Sequence, residues 1–257
     1  MIEETTIRPG AADAPPPGPI AEYDLAYRDV FWASRDYEDR CDRIALRALL
    51  PPEGDRLMEV GAGFGRLADE YAGYRSVTLF DPSTALLDAA RERLALDPRH
   101  RFVVGDAHHL PFGDASFDVL VCVRVVHNLA DPGQVFREFA RVLAPGGTLV
   151  LEFANKRHLK SILRWAARRQ AWSPFSREPH EYLPLHFDRS PREIRDLLAA
   201  AGLHVTRTRT ASLFRLPFLR RRVGPGALAA IERPLQAPLG LLAVGPSVYL
   251  RARRVGT

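Results

Sequence analysis

Three glycines at alternate positions, Gly61, Gly63 and Gly65, end the apolar run in LMEVGAGFGRLADEY, residues 57–71. A glycine turn between a strand and a helix lets the backbone approach a ligand closely, because no Cβ intervenes. It suits a phosphate, a nucleotide or a nucleoside. The neighbours narrow this choice. No Lys-Ser or Lys-Thr follows the glycines, so the phosphate-gripping P-loop is not written here. Gly65 also comes one position too early for the dinucleotide spacing. Glu59, just before the turn, repels a pyrophosphate and attracts a cationic or ammonium-bearing group. Asp81 lies 20 residues beyond Gly61, where a carboxylate can accept from both ribose hydroxyls. Asp106, in VVGDAHHLPF, can accept from an exocyclic amine of adenine.

These residues need a scaffold that brings strand ends together. RLMEVGA reads as a strand, GRLADEYAGY as a helix, SVTLFD as a second strand, and STALLDAARERLAL as a helix capped by Ser83. RFVVGD, FDVLVCVRVV and GTLVLEFA supply strands three to five, with the helix PGQVFREFARVLA before the fifth. Continuous apolar strands alternating with amphipathic helices predict a doubly wound α/β fold, a mostly parallel sheet covered on both faces. SPREIRDLLAAAGL returns as a capped helix ending at Gly202, and HVTRTRTA and SVYLRARR close a seven-stranded, Rossmann-like sheet. Ahead of the first strand, residues 23–50 have helical composition, with Ile44, Leu46, Leu49 and Leu50 as the expected buried face. A Pro-rich, flexible lead-in is expected over residues 1–22, and a single domain over 23–257.

The 257 residues, 46% of them hydrophobic, suffice for one large core. No secretory leader or membrane-length apolar run is evident, and Cys41 and Cys122 form no disulfide pattern, so a cytoplasmic protein is expected. The charge is uneven. Residues 1–155 carry 16 Lys and Arg against 25 Asp and Glu, whereas residues 156–257 carry 20 against 6. The basic part suits an anionic membrane surface, an acidic partner, or simply solvent.

A ligand with a ribose, an adenine and an ammonium group fits the acceptors named above, and S-adenosylmethionine (SAM) is such a ligand. The chain resembles the class I SAM-dependent methyltransferases of the small-molecule kind, with a methyltransferase type 11-like domain. The resemblance is carried by EVGAGFGR, LFDPS, GDAHHLPF, FDVLVCVRVVHNLADP and RVLAPGGTLVLEF, in that order. It implies that Gly61, Ala62 and Gly63 pass beneath the methionine and ribose, and that Glu59 fixes the amino group. It further implies that Asp81 holds the ribose beside Pro82, and that Asp106 and the amide of Ala107 read the adenine. Backbone around Cys122 and Val123 would receive the ammonium. Strand four lacks the (Asn/Asp)-Pro-Pro-(Tyr/Phe) cluster of many amino-methyltransferases, which counts against a base or amide acceptor. No metal is expected.

Methyl transfer from a sulfonium needs alignment more than a catalytic side chain, although a high-pKa oxygen acceptor needs a general base. His127, just after strand four, is the candidate base, with packing as the alternative. His158, His180 and His186 are further candidates, and His108 and His109 belong beside the cofactor. Arg124 either contacts the acceptor or pairs with a structural carboxylate. Tyr27, Arg35 or Tyr37 could reach the methionine carboxylate, while Phe31 and Trp32 suit packing. The basic, aromatic-containing segment 156–190 reads as a substrate lid, or as an amphipathic helix on anionic lipid. A small-molecule acceptor is therefore expected and nucleic acid is disfavoured. A quinone or lipid precursor at a membrane, a non-catalytic SAM-binding protein and a nicotinamide oxidoreductase are the rival readings.

Overall fold

Five apolar segments lie side by side as parallel strands: β1 (Gly54–Val60), β2 (Tyr74–Asp81), β3 (His100–Val104), β4 (Phe117–Cys122) and β5 (Leu143–Ala154). A computed structural model describes residues 25, 27–215 and 217–255. The lead-in expected over 1–22 lies outside them. A short antiparallel pair follows, β6 (His180–Leu183) with β7 (His186–Asp188). Then β8 (Leu203–Ala211) and β9 (Ser247–Arg254) run antiparallel at one edge. The main sheet has seven strands in the order β3-β2-β1-β4-β5-β9-β8, the doubly wound architecture expected. The chain reverses direction across the sheet beside β1, so the carboxyl ends of β1 and β4 flank the crevice where such folds bind ligands.

The helices are α1 (Asp36–Leu49), α2 (Thr84–Leu94), α3 (Pro132–Val142), α4 (Leu159–Ala166), α5 (Pro191–Ala200), α6 (Pro217–Arg222) and α7 (Pro225–Leu242). Strand residues alternate between two cores. Leu57, Val119 and Val121 face Leu46 of α1, Leu87 of α2 and Leu228 of α7. Met58, Leu120 and Cys122 face Phe136 and Phe139 of α3 and Ile194 of α5. Adjacent strand residues thus supply opposite layers. Truncating a ring such as Phe139, fully buried, to alanine costs about 3–5 kcal/mol.

Local chemistry sets most helix starts. Asp131 accepts from the amides of Gly133 (3.0 Å) and Gln134 (3.3 Å) ahead of α3, whose first residue is Pro132. Ser190 and Glu193 form a reciprocal capping box on α5. Ser83 caps α2 by accepting from Leu86 N at 3.3 Å.

Strand four, expected over 117–126, stops at Cys122 ahead of a 3-10 turn at Val126–Asn128, and three further segments differ from expectation. The predicted helix after β1 is only a 3-10 turn, Ala68–Tyr71. Gly61, Gly63 and Gly65 all have positive φ, and turn bonds from Gly65 N to Ala62 O and from Ala68 N to Gly65 O consume the residues a helix would need. The helix predicted over 23–50 starts only at Asp36. Before it, Tyr27–Phe31 make one π-helical turn, stacked Tyr27 on Phe31 at 4.9 Å. Its buried face is Tyr37, Cys41, Ala45, Leu46 and Leu49 together with Glu38 and Asp42, while Ile44 is half-buried. Third, α7 has no counterpart in the sequence reading, because Pro234 and Pro238 interrupt its apolar pattern. Both prolines and Ala230 lie on the exposed side, where water can satisfy a freed carbonyl.

Candidate functional site

The turn after β1 is pinned to its neighbour. The amides of Gly61 and Ala62 both donate to Phe80 O, at 2.8 and 3.1 Å. Asp81, the last residue of β2, then clamps it from the side. Its Oδ2 accepts from Gly63 N and its Oδ1 from Ser83 N, each at 2.8 Å. Burial raises the Asp81 pKa, and these two amides oppose the rise. One carboxylate therefore couples the glycine turn to the cap of α2.

Gly61 has φ +76°, and a Cβ there would sit 2.0 Å from Val125 Cγ2. The β1 turn and the turn after β4 pass too closely for any side chain. Gly63 differs: the nearest atom to its notional Cβ is Leu86 Cδ1 at 3.8 Å. It borders open space.

That space is a cavity of about 360 Å³ lined by Gly61, Gly63, Asp81, Pro82, Asp106 and Ala107, within the roughly 300–1,000 Å³ range of small-molecule sites. A smaller cavity of about 40 Å³ has Glu59, Ala62 and Val123 in its wall, and Tyr27, Gly61, Gly63 and Arg124 border both. All nine residues assigned to the cofactor thus line two adjoining spaces at the carboxyl ends of β1, β2 and β4. His108, Val125, Asn128 and Leu129 also line the larger one, and sequence reasoning assigned none of the last three. Their signal is position alone, directly after β4.

Glu59 is 3% exposed, and its Oε2 has no hydrogen-bond partner among the described residues. Burial pushes its pKa up to about 8. An unsatisfied buried carboxyl at the wall of a cavity fits a ligand that brings a donor, such as an ammonium. Asp106 is largely exposed and is held by His108, whose amide and Nδ1 lie 2.9 and 2.7 Å from its Oδ1. Burial works to raise the Asp106 pKa, but the His108 contacts leave it lowered.

Arg124 takes the structural partner. It has φ +60°, its Nε and Nη2 donate to the Asp42 carboxylate at 2.9 and 3.2 Å, and its amide donates to Glu152 Oε2 at 2.9 Å. Burial opposes its charge, yet Asp42 and Glu152 hold its pKa well up. Arg66 joins them: Nη2 donates to Asp42 Oδ2 at 3.2 Å, and the guanidinium lies 3.8 Å from the Trp32 ring centre. Trp32 and Arg66 both border the smaller cavity. Arg66 follows Gly65 directly, and that position in the glycine motif is its one signal in the sequence.

His127 borders neither cavity. Burial drives its pKa down to about 3, with Arg124 and His186 adding to the fall. Its ring centre is 6.1 Å from that of His186. His186 Nδ1 lies 2.9 Å from Pro184 O, while its Nε2 is buried with no partner among the described residues. His158 caps α4 by accepting from Ser161 N at 3.2 Å, and His180 stacks on Trp172. His109 lies 3.4 Å from Gln134 Nε2. Of the three residues suggested for a ligand carboxylate, Tyr27 borders the cavities. Arg35 lies 4.0 Å over Phe31, and Tyr37 donates to Glu232 and accepts from Phe214 N. No group of three or more His, Cys, Asp or Glu side chains able to hold a metal occurs among the described residues.

A doubly wound sheet with a nucleoside-sized cavity at its switch point defines a Rossmann-like fold with its crevice at the usual ligand position. Residues 58–151 match the methyltransferase domain family. The chain is similar to a demethylmenaquinone methyltransferase of Clavibacter sepedonicus, 38% identical over 46% of this chain and 49% of that one. It is also similar to the 27-O-demethylrifamycin SV methyltransferase of Amycolatopsis mediterranei, 39% identical over 43% of this chain and 42% of that one. The chain therefore spans under half the length of both relatives. Among solved structures, it superposes on a chain of the complex between the Haloferax volcanii Trm112 methyltransferase activator and a methyltransferase. The TM-score is 0.64 at 22% identity, covering 91% of this chain and 98% of that one, a likeness of fold alone. The match to the methyltransferase domain family thus runs from Met58 in β1 to Leu151 in β5, the part of the chain that carries the glycine turn, Asp81 and Asp106.

Proposed function

We propose that the protein binds SAM across the two adjoining cavities and methylates a small-molecule acceptor. The observation that carries this reading is the convergence of Glu59, Gly61, Asp81 and Asp106 on one crevice. Bound SAM supplies an electrophilic methyl group, which an acceptor O, N or C atom takes by in-line displacement. Asp81 keeps lone pairs for ribose hydroxyls beyond the two amides it already accepts. Asp106 and the amide of Ala107 face the adenine, and Glu59 Oε2 faces the ammonium. The protein's work is alignment and exclusion of water, worth up to roughly 7–11 kcal/mol in intramolecular models.

The acceptor enters, on this reading, beside segment 156–190, which serves as the lid of a single domain. The β6–β7 pair brings His186 to His127 and Tyr182 to 6.0 Å from His186. Burial raises Asp188 to about 6, against Arg215 and Lys156, so a proton acceptor is available there. His127, with its depressed pKa and outside both cavities, packs beside His186; proton transfer falls to Asp188. Lys156, counted in the basic insertion, is buried and donates to Ser176 Oγ at 2.7 Å, anchoring the lid. The relatives' names, a menaquinone precursor and a rifamycin, support an aromatic or polyketide acceptor. Two free, buried cysteines support a cytoplasmic setting. A peripheral contact with an anionic surface through the basic part belongs to the same reading.

An S-adenosylhomocysteine-release assay with quinols, phenols and macrocyclic polyketides tests it. Acceptor-dependent release is expected. Tight SAM binding without release for any acceptor class would favour the non-catalytic alternative.

A further inference from the structure

Helix α4 is turned the opposite way from an ordinary surface helix. Its buried residue is Ser161, 1% exposed, whereas Leu159 and Leu163, one turn apart, are 55% and 60% exposed. An amphipathic helix that belonged to the core would show the reverse. The apolar surface continues beyond the helix. Trp165, 41% exposed, meets Phe175 edge-on at 5.6 Å. Leu241 and Leu242, ending α7, are 81% and 59% exposed. They are tied to α4, because Leu159 N donates to Val244 O at 2.8 Å and Arg157 Nη2 to Leu242 O at 2.6 Å. Exposed apolar surface of this continuity marks an interaction face.

The charges beside it select the partner. Residues 156–177 contain seven Lys and Arg and no Asp or Glu. Arg177 pairs with Asp196 at 3.5 Å, but Lys160, Arg164, Arg168 and Arg169 form no ion pair among the described residues. Lys160 and Arg164 stand one turn apart on the flank of the leucine stripe. A leucine stripe bordered by unpaired cations lets a helix lie in a bilayer interface, with acyl chains taking the leucines and lipid phosphates the cations. A nucleic acid would satisfy the cations and leave Leu159, Leu163 and Leu241 in water. The location also fits. The segment before α4 leaves the carboxyl end of β5, and β9 starts at that same edge, where the two cavities open.

We infer that this face docks the protein on an anionic lipid bilayer, with α4 lying in the interface and the cavity-bearing edge of the sheet toward the membrane. The inference deepens the anionic contact proposed above by naming its surface and occupant, and it stands apart from the identity of the methyl acceptor.

The test is co-sedimentation of the full chain with phosphatidylcholine vesicles, with and without phosphatidylglycerol, at low and high salt. Binding to the anionic vesicles, weakened by salt, is expected. Leu159→Asp/Leu163→Asp should lower the partition coefficient at least about tenfold, since apolar burial and charge act together. Leu241→Asp/Leu242→Asp, from the other side of the patch, should do the same. Both pairs are exposed, so melting temperature and SAM affinity should stay at wild-type values, which separates docking from the cofactor site. No sedimentation with anionic vesicles would overturn the inference. So would full retention of binding by both double variants, or retention of an RNA or an acidic protein in place of the vesicles.

Discussion

Asp81 Oδ2 accepts the amide hydrogen of Gly63 at 2.8 Å, across the gap between the ends of β2 and β1. The carboxylate assigned to the ribose is thus also the strut of the turn beneath it. Asp81→Ala removes both functions and orphans the Gly63 and Ser83 amides. Each unpaired buried group costs about 1–3 kcal/mol, so SAM affinity measured by calorimetry should fall at least about tenfold, with a lower melting temperature. Asp81→Asn keeps one acceptor oxygen and should lose less. Unchanged affinity in the alanine variant would remove Asp81 from the site.

Gly61 and Gly146 have nearly the same backbone, φ +76° and +74°, but different surroundings. A Cβ at Gly146 meets nothing within 4 Å, whereas one at Gly61 overlaps Val125. Gly146→Ala should therefore cost only the left-handed penalty, about 1–2 kcal/mol. Gly61→Ala adds the overlap, about 1–3 kcal/mol more. Urea denaturation of both variants gives the difference directly. Gly63→Ala carries the same left-handed penalty, and its Cβ, which borders the cavity, should in addition reduce SAM affinity.

Asp42 is fully buried and carries Arg124 and Arg66. Removing it alone strands buried guanidinium charge, and Asp42→Leu should cost about 3–5 kcal/mol. Arg124→Met together with Asp42→Leu should recover part of that loss. A double-mutant cycle in urea reads the coupling. Additive losses would show that the pair does not hold the turn after β4.

Glu59 gives a pH signature. An unfolded glutamate releases its proton near 4.5, while the buried one keeps it up to about pH 8. The folded state binds the extra proton between these values. The stability that this group contributes is full below 4.5, declines as pH rises, and is lost once pH passes about 8. Glu59→Gln should remove this group's decline from the melting temperature of the ligand-free protein across that window. His127 acts in the opposite sense: held neutral to about pH 3, it favours the fold above its ordinary 6.5 and withdraws support as pH falls toward 3. The difference between wild type and Glu59→Gln isolates the carboxyl.

Short-range chemistry was legible in the sequence. Ser83 and Ser190 were readable because a cap acts within three residues. The strands were readable because burial on both faces leaves continuous apolar runs. Asp81 and Asp106 stood out because acidic residues end otherwise apolar strands. The missing parts are long-range or locally contradictory. Nothing near Arg124 names Asp42, 82 positions earlier, and nothing near Glu232 names Tyr37, 195 positions away. The helix expected after Gly65 failed because left-handed glycines spend the first turn. Helix α7 stayed hidden because outward prolines look like breaks. The exposed leucines of α4 looked like a lid or a membrane helix, and composition alone could not say which way they faced.

Calorimetry with SAM, S-adenosylhomocysteine and NAD tests the central claim most directly. The convergence of Glu59, Gly61, Asp81 and Asp106 predicts binding of both adenosyl ligands, weakened in Asp81→Ala, and no heat with NAD. Selective binding of NAD, or no response to either adenosyl ligand from the folded protein, would contradict it.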